Sequence, residues 1–112
     1  MANLGRFLRR VASTDRERIA YFCPACDGVH QIALAPGSPA WTFDGNIEAP
    51  TFSPSIRCSW SWPDGEKVCH HFVRAGRIEF CGDSTHAMRG QTVPLPEWPY
   101  APGAYGGIEE NT

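Results

Sequence analysis

The stretch Cys23-Pro24-Ala25-Cys26-Asp27-Gly28 constrains the fold of this chain more than any other. Two thiols separated by two residues, on a turn that contains proline and is followed by glycine, are typical of a metal knuckle. This spacing lets both sulfurs reach one tetrahedral ion, and Gly28 lets the backbone curl beneath it. The sequence therefore predicts a zinc knuckle here, with an unmetallated turn as the alternative.

A redox function for the same two cysteines is less well supported. Cys-x-x-Cys redox motifs stand at the start of a helix, whose dipole lowers a thiol pKa. Here Gly28 is followed by residues 29–34, a sequence typical of a strand. The chain has 5 cysteines, an odd number that does not suit a secreted disulfide framework. Metal binding is therefore the favoured interpretation, and Cys58 and Cys81 are interpreted as small buried residues.

The chain is expected to lie in a reducing cytoplasm. No apolar run reaches the roughly 20 residues of a membrane span. The first ten residues also lack the apolar core and cleavage site of a signal peptide. We therefore expect no membrane partner.

Charge divides the chain into unequal parts. Residues 1–18 have a net charge of +3, whereas the remainder has −5. A basic end can bind phosphate or an acidic protein face. The acidic body, however, argues against nucleic-acid binding, and we expect no nucleic-acid partner. The predicted organisation is a basic N-terminal arm at 1–17, a zinc-binding β domain at 18–98 and a Pro/Gly-rich tail at 99–112.

Turn signals and short apolar runs alternate along the whole domain. Strand-like segments recur every 8–12 residues, and residues 55–62 alternate so that Ile56, Cys58, Trp60 and Trp62 share one face. At most one short helix fits, over residues 84–89. This pattern predicts a mainly β fold, namely a small antiparallel sheet, a sandwich or a partly open barrel.

Several short motifs in order resemble a family of small uncharacterised proteins. The family is common in tailed phages and prophages, and a diverged branch lies near bacterial ubiquitin-like conjugation genes. Some members are labelled ammonia monooxygenase. That enzyme is embedded in the membrane, and this sequence, which has no apolar span, does not support the label. The resemblance covers roughly residues 18–98 and implies phage origin, a bacterial host cytoplasm and metal binding. Its motifs are Phe22-Cys-Pro-x-Cys26, Trp41-x-Phe-Asp-Gly45, Pro50-Thr-Phe-Ser-Pro-Ser55, Cys69-His70, Phe72-Val73, Gly76-Arg-Ile78, Phe80, Asp83-x-x-His86 and Gly90-Gln-Thr-Val93.

The remaining ligands of the predicted Zn²⁺ must come from later in the chain. Cys69 is the best third ligand for Cys23 and Cys26, since it starts a strand that can fold against the first hairpin. The fourth ligand is open. Strand alternation directs Cys69 and His71 to one side and so favours His71, whereas the family resemblance favours His70. His86 follows a turn and can also reach the site, so the predicted ligands are Cys23, Cys26, Cys69, His70 and His86, with His71 in reserve.

Two functional classes follow from these residues. The first is a small zinc-stabilised phage or prophage accessory protein that binds a host or phage protein, for example to counter a host defence. The alternative is a metal-dependent hydrolase in which Asp83 and His86 move protons beside the zinc. A closed site with four protein ligands favours structure, whereas three ligands and a water favour catalysis.

Overall fold

The structure is a computed structural model that describes residues 2–11 and 16–100. Within these residues the chain forms ten β-strands and no helix. They are β1 (Ala2–Leu4), β2 (Leu8–Val11), β3 (Arg18–Cys23), β4 (Gly28–Ala33), β5 (Thr42–Phe43), β6 (Phe52–Ser53), β7 (Ile56–Trp62), β8 (Gly65–Arg74), β9 (Arg77–Phe80) and β10 (Thr92–Pro94). The mainly β fold class is confirmed.

The strands form three antiparallel sheets. The first sheet contains β1, β2, β3 and β4 in sequence order, and the second has the order β10-β9-β8-β7. Strands β5 and β6 form a separate two-stranded sheet. Each strand of the two larger sheets pairs with its neighbour along the chain, so both are meanders. None of the sheets in the described part closes on itself. The described residues therefore form open sheets that pack together, and they do not form a closed barrel.

The two four-stranded sheets face each other across one apolar core. The Tyr21 hydroxyl on β3 lies 2.7 Å from Nε2 of His71 on β8. Burying each large aliphatic or aromatic side chain contributes about 1.5–3 kcal/mol to stability. The core consists mainly of Leu8, Ile19, Tyr21, Ile32, Phe52, Ile56, Val73, Ile78, Phe80 and Leu95.

The β3–β4 hairpin places the cysteine knuckle at its tip. Cys23 pairs with Gly28 across the hairpin, and Tyr21 pairs with His30. Asp27, in the turn, has a φ of 51°, in the left-handed region that aspartate tolerates better than most residues. Paired residues of antiparallel strands point to the same face. Cys23, Tyr21 and His30 therefore all point into the core.

The β7–β8 hairpin extends beyond the core at its tip. Ile56 pairs with His71, and both are buried. Toward the turn, Trp60 and Trp62 are 37% and 54% exposed. The predicted common face of β7 therefore enters the core at Ile56 and Cys58, and it is exposed at the two tryptophans near the turn.

The helical turn that the sequence allowed at residues 84–89 does not form. The buried hydroxyl of Ser84, at the start of this segment, bonds instead to the backbone of His70 on β8. Residues 86–91 form successive turns, in which Arg89 N–H bonds to the His86 carbonyl and Gln91 N–H to the Met88 carbonyl. Contacts with β8 therefore outweigh the local helix signals.

The segment predicted as an N-terminal arm contributes two strands. Strand β2 pairs with β3 from Leu8 opposite Tyr21 to Val11 opposite Arg18. Of the predicted tail, only Pro99 and Tyr100 lie within the described residues. No helix long and apolar enough to span a membrane occurs in the described ranges.

Candidate functional site

Neighbouring residues of β8 point to opposite faces of the second sheet. The side chains of Cys69 and His71 are completely buried in the core, whereas the His70 side chain is 24% exposed on the other face. This is the alternation expected of a regular strand. As a result, Cys69 and His70 belong to two different groups of polar side chains.

The first group lies inside and contains three thiols and one imidazole. Cys23 and Cys26 come from the knuckle, His30 from β4 and Cys69 from β8, and their ligand atoms all lie within 4.8 Å of one another. The Cys23 and Cys69 sulfurs are 4.0 Å apart, and all five cysteines are free. Two thiolates on one tetrahedral zinc are separated by roughly 3.8 Å, given Zn–S bonds of about 2.3 Å. The spacing therefore suits a metal ion.

The hydrogen bonding of His30 also fits a metal ligand. Its Nδ1 lies 3.4 Å from Sγ of Cys58, while its Nε2 is buried and has no hydrogen-bond partner among the described residues. A buried nitrogen without a partner is costly. A metal ion bound at Nε2 would remove that cost, with Cys58 fixing the ring from the other side.

Electrostatics within this group also favour a cation. Burial alone would lower the pKa of His30, but interaction with the thiols of Cys23 and Cys26 raises it to about 11. The adjacent thiols of Cys26 and Cys69 hold the pKa of Cys23 well below its ordinary value, while Cys23 and Cys26 raise that of Cys69. Without a metal, the group therefore favours one thiolate beside an imidazolium. A divalent cation would replace these protons and stabilise further thiolates.

His71 lies beside this group without joining it. Its Nδ1 is 3.3 Å from Sγ of Cys69, and its Nε2 is 2.7 Å from the Tyr21 hydroxyl. Burial, followed by the proximity of His30, lowers the pKa of His71 to about 4. His71 is thus a neutral, buried imidazole whose two ring nitrogens contact Cys69 and Tyr21. The contact with Cys69 helps to orient that thiol.

The second group lies on the outer face and forms a hydrogen-bonded chain of three side chains. Nδ1 of His70 lies 2.9 and 3.0 Å from the two carboxylate oxygens of Asp83. Nε2 of His70 lies 3.0 Å from the hydroxyl oxygen of Ser55, which immediately precedes β7. A carboxylate at one imidazole nitrogen and a serine hydroxyl at the other is the arrangement that activates serine as a nucleophile.

The loop after β9 holds this chain together by bonding to the backbone of β8. The His70 N–H donates to the Ser84 hydroxyl, which in turn donates to the His70 carbonyl, at 3.0 and 2.9 Å. Thr85 makes the equivalent pair of contacts with Val68. Ser84 is 4% exposed. These bonds fix Asp83 next to the ring of His70.

The structure thus separates residues that the sequence placed in one site. It gathers Cys23, Cys26 and Cys69 as expected, but brings His30 to them, whereas His70 joins Ser55 and Asp83. His86 lies in neither group. Its Nδ1 accepts the Met88 N–H, and its ring packs edge-on against Phe80. Metal ligation by any of these residues stays a prediction.

Two of the candidate site residues, His30 and Ser55, were not predicted from the sequence, although the sequence carries a signal for each. His30 follows Cys26 by four residues and shares a strand face with buried Ile32. Ser55 ends the motif that starts at Pro50, one of the motifs that carry the family resemblance together with Cys69-His70 and Asp83-x-x-His86. Nothing in the linear spacing of Ser55, His70 and Asp83 indicates that they meet.

One family model matches residues 4–81, and its description is "Bacterial ubiquitination-like system serine protease (BubE)". No curated protein and no solved structure matches the chain. The match agrees with the resemblance to a branch near ubiquitin-like conjugation genes, but supports neither phage origin nor the ammonia monooxygenase label. Because the matched residues cover more than half of the sequence, the chain belongs to the BubE family.

Proposed function

We propose that this chain is a serine protease in which Ser55 is the nucleophile, His70 the general base and Asp83 the group that orients His70. The proposal rests on the hydrogen-bonded chain from Asp83 through His70 to Ser55, with heavy-atom distances of 2.9–3.0 Å. The partial exposure of His70 supports it, because a substrate carbonyl can approach from the outer face of the sheet.

The reaction follows from the positions of these groups. Ser55 Oγ attacks the carbonyl carbon of the scissile bond while its proton passes to Nε2 of His70. The imidazolium then gives that proton to the leaving amine, and an acyl ester on Ser55 remains. A water molecule then attacks the ester carbonyl while it gives a proton to Nε2 of His70, and His70 returns that proton to Ser55 Oγ as the acyl–oxygen bond breaks. Asp83 accepts the Nδ1–H of His70 throughout; this contact keeps Nε2 of the neutral ring free to accept the Ser55 proton and stabilises the imidazolium that then forms.

We assign zinc a structural task in this scheme. Three thiols and one imidazole from Cys23, Cys26, His30 and Cys69 would complete a four-coordinate site, and soft thiolates with imidazole select zinc. Four protein ligands leave no position for a catalytic water. Bound there, zinc would tie the β3–β4 hairpin to β8 and so fix the strand that carries His70. The predicted zinc hydrolase using Asp83 and His86 is replaced by a metal-independent triad.

The substrate proposed here is a ubiquitin-like protein or its conjugate. The family description supports this class. A groove of about 420 Å³ beside the β7–β8 tip, whose lining includes none of the three triad residues, supports recognition of a protein partner at a surface separate from the triad, since aromatic side chains dominate binding hot spots. Trp60 and Trp62 line it together with Cys26, Lys67 and Thr85. A role as a phage accessory protein in counter-defence stays a prediction.

Hydrolysis of a p-nitrophenyl ester tests the assignment of the nucleophile. Ser55→Ala should lower the turnover number by a factor on the order of 10⁴–10⁶, as loss of a triad serine does. Ser59→Ala, which removes an exposed serine on β7, should leave the rate unchanged. Equal rates for the wild type and Ser55→Ala would overturn the proposal.

A further inference from the structure

Cys81 forms a second set of metal donors with two members of the triad. Sγ of Cys81, a ring nitrogen of His70 and a carboxylate oxygen of Asp83 all lie within 4.8 Å of one another. Cys81 immediately follows β9, and its N–H donates to the His70 carbonyl at 2.8 Å. The backbone therefore keeps its thiol beside the triad, although the reaction gives Cys81 no task.

We propose that His70, Cys81 and Asp83 form an inhibitory zinc site that overlaps the triad. Thiolate, imidazole and carboxylate are all zinc ligands, and a thiolate with an imidazole favours zinc over harder cations. With three protein ligands, the set leaves a fourth position for water. This proposal builds on the serine protease mechanism and adds a means of regulating it.

The chemistry of one imidazole explains why zinc and catalysis exclude each other. During catalysis, His70 Nδ1 carries the proton that Asp83 accepts, and Nε2 offers its lone pair to Ser55. A zinc ion on Nδ1 needs the lone pair of that atom, so the proton of a neutral ring moves to Nε2. Nε2 can then no longer accept the proton of Ser55. The metal also engages the carboxylate that orients the ring.

The two zinc sites should differ in affinity. The inner group offers four buried or partly buried protein donors, whereas the outer set offers three, and Asp83 has an exposed side chain. Fewer ligands and more water weaken binding. The first equivalent of zinc should therefore fill the inner site and leave the enzyme active, and further Zn²⁺ should inhibit it.

Titration of Zn²⁺ into protein that already holds one zinc per chain tests the proposal. Calorimetry should detect a second, weaker site, and ester hydrolysis should fall by a factor on the order of 10⁴ at saturation, the loss caused by the wrong histidine tautomer. Cys81→Ala and Cys81→Ser should retain activity without added zinc, lose the second site and resist inhibition. The control variant Asp64→Asn changes an exposed carboxylate in the β7–β8 turn that does not belong to the proposed site. This variant should be inhibited by zinc like the wild type.

Equal inhibition of the wild type and both Cys81 variants would overturn the proposal, as would the absence of a second binding event. Calorimetry keeps this test separate from the test of the mechanism. If the chain hydrolyses no ester even without added zinc, the serine protease assignment fails. The loss or retention of second-site binding in the Cys81 variants still decides whether these residues bind the metal.

Discussion

The two faces of β8 carry two groups of side chains with opposite requirements. On the inner face, Cys69 joins thiols and an imidazole that are buried, apart from the half-buried Cys26, a setting that suits a metal ion held by four protein ligands. On the outer face, His70 joins Ser55 and Asp83 where a substrate can approach. A single strand can thus connect a stabilising group to a chemically reactive one, because consecutive side chains point in opposite directions. Loss of the inner group should therefore lower both the stability and the activity of the protein, whereas loss of the outer group should lower only the activity.

The largest effect is expected from removing an inner thiol. Cys69→Ser should abolish stoichiometric zinc binding and lower the melting temperature by many degrees. Zinc sites of this type contribute about 10–16 kcal/mol in small peptides, comparable to the whole stability of a small domain. Metal analysis and thermal unfolding of the purified variant check this. The matched change on the outer face, His70→Gln, should leave inner-site zinc in place.

Removing the charge of the outer carboxylate should stop catalysis without unfolding the protein. Asp83→Asn should lower the rate of ester hydrolysis by a factor on the order of 10⁴, because an amide can hold the imidazole in the wrong tautomer. Its melting temperature and inner-site zinc should match those of the wild type, since Asp83 has a largely exposed side chain. An inactive variant that has also lost its zinc would contradict the separation of the two faces.

Ser84 offers a finer test of how the outer group is positioned. Ser84→Ala should lower the rate by roughly 10–100-fold, because small displacements of a catalytic group have effects of this size. Thr85→Ala removes equivalent bonds, but from Val68. Both variants should lose about 1–3 kcal/mol of stability through unpaired backbone groups. If kcat falls equally in the two variants, Ser84 has no specific role in positioning His70.

The smallest effect concerns the support of the inner group. Cys58→Ala removes the thiol beside Nδ1 of His30. Zinc content should remain stoichiometric, while the affinity falls by about tenfold, as for other residues that orient a metal ligand. Competition with a chromophoric chelator measures this. Loss of all zinc would mean that Cys58 is itself a ligand.

Local sequence patterns predicted the fold well because they act over short distances. The knuckle at Cys23 and Cys26, the alternation in residues 55–62 and the turns between strands depend on neighbouring residues. The fold class and the face of Cys69 could therefore be predicted. The short helix could not be excluded, because Ser84 bonds to β8, a contact that is remote in sequence.

The composition of the two groups depends on the packing of distant segments. Strand alternation alone directs the side chains of Cys69 and His70 to opposite faces of the sheet. The prediction of both as ligands of one zinc ion conflicted with that alternation. Ser55 and Asp83 are brought to His70 by the β7–β8 pairing and the Ser84 contacts. Those contacts exist only in the assembled sheet. The motifs of the family resemblance include Ser55, His70 and Asp83 but not His30, and they do not indicate which side chains meet.

The proposed mechanism depends above all on the activation of Ser55 by His70 and Asp83. Treatment with a fluorophosphonate, followed by mass spectrometry of the digested chain, tests it most directly. We expect one phosphonyl adduct, on Ser55 and not on Ser53 or Ser59, which disappears in His70→Gln and persists in Cys81→Ala. Absence of an adduct on Ser55, or its undiminished formation in His70→Gln, would contradict it.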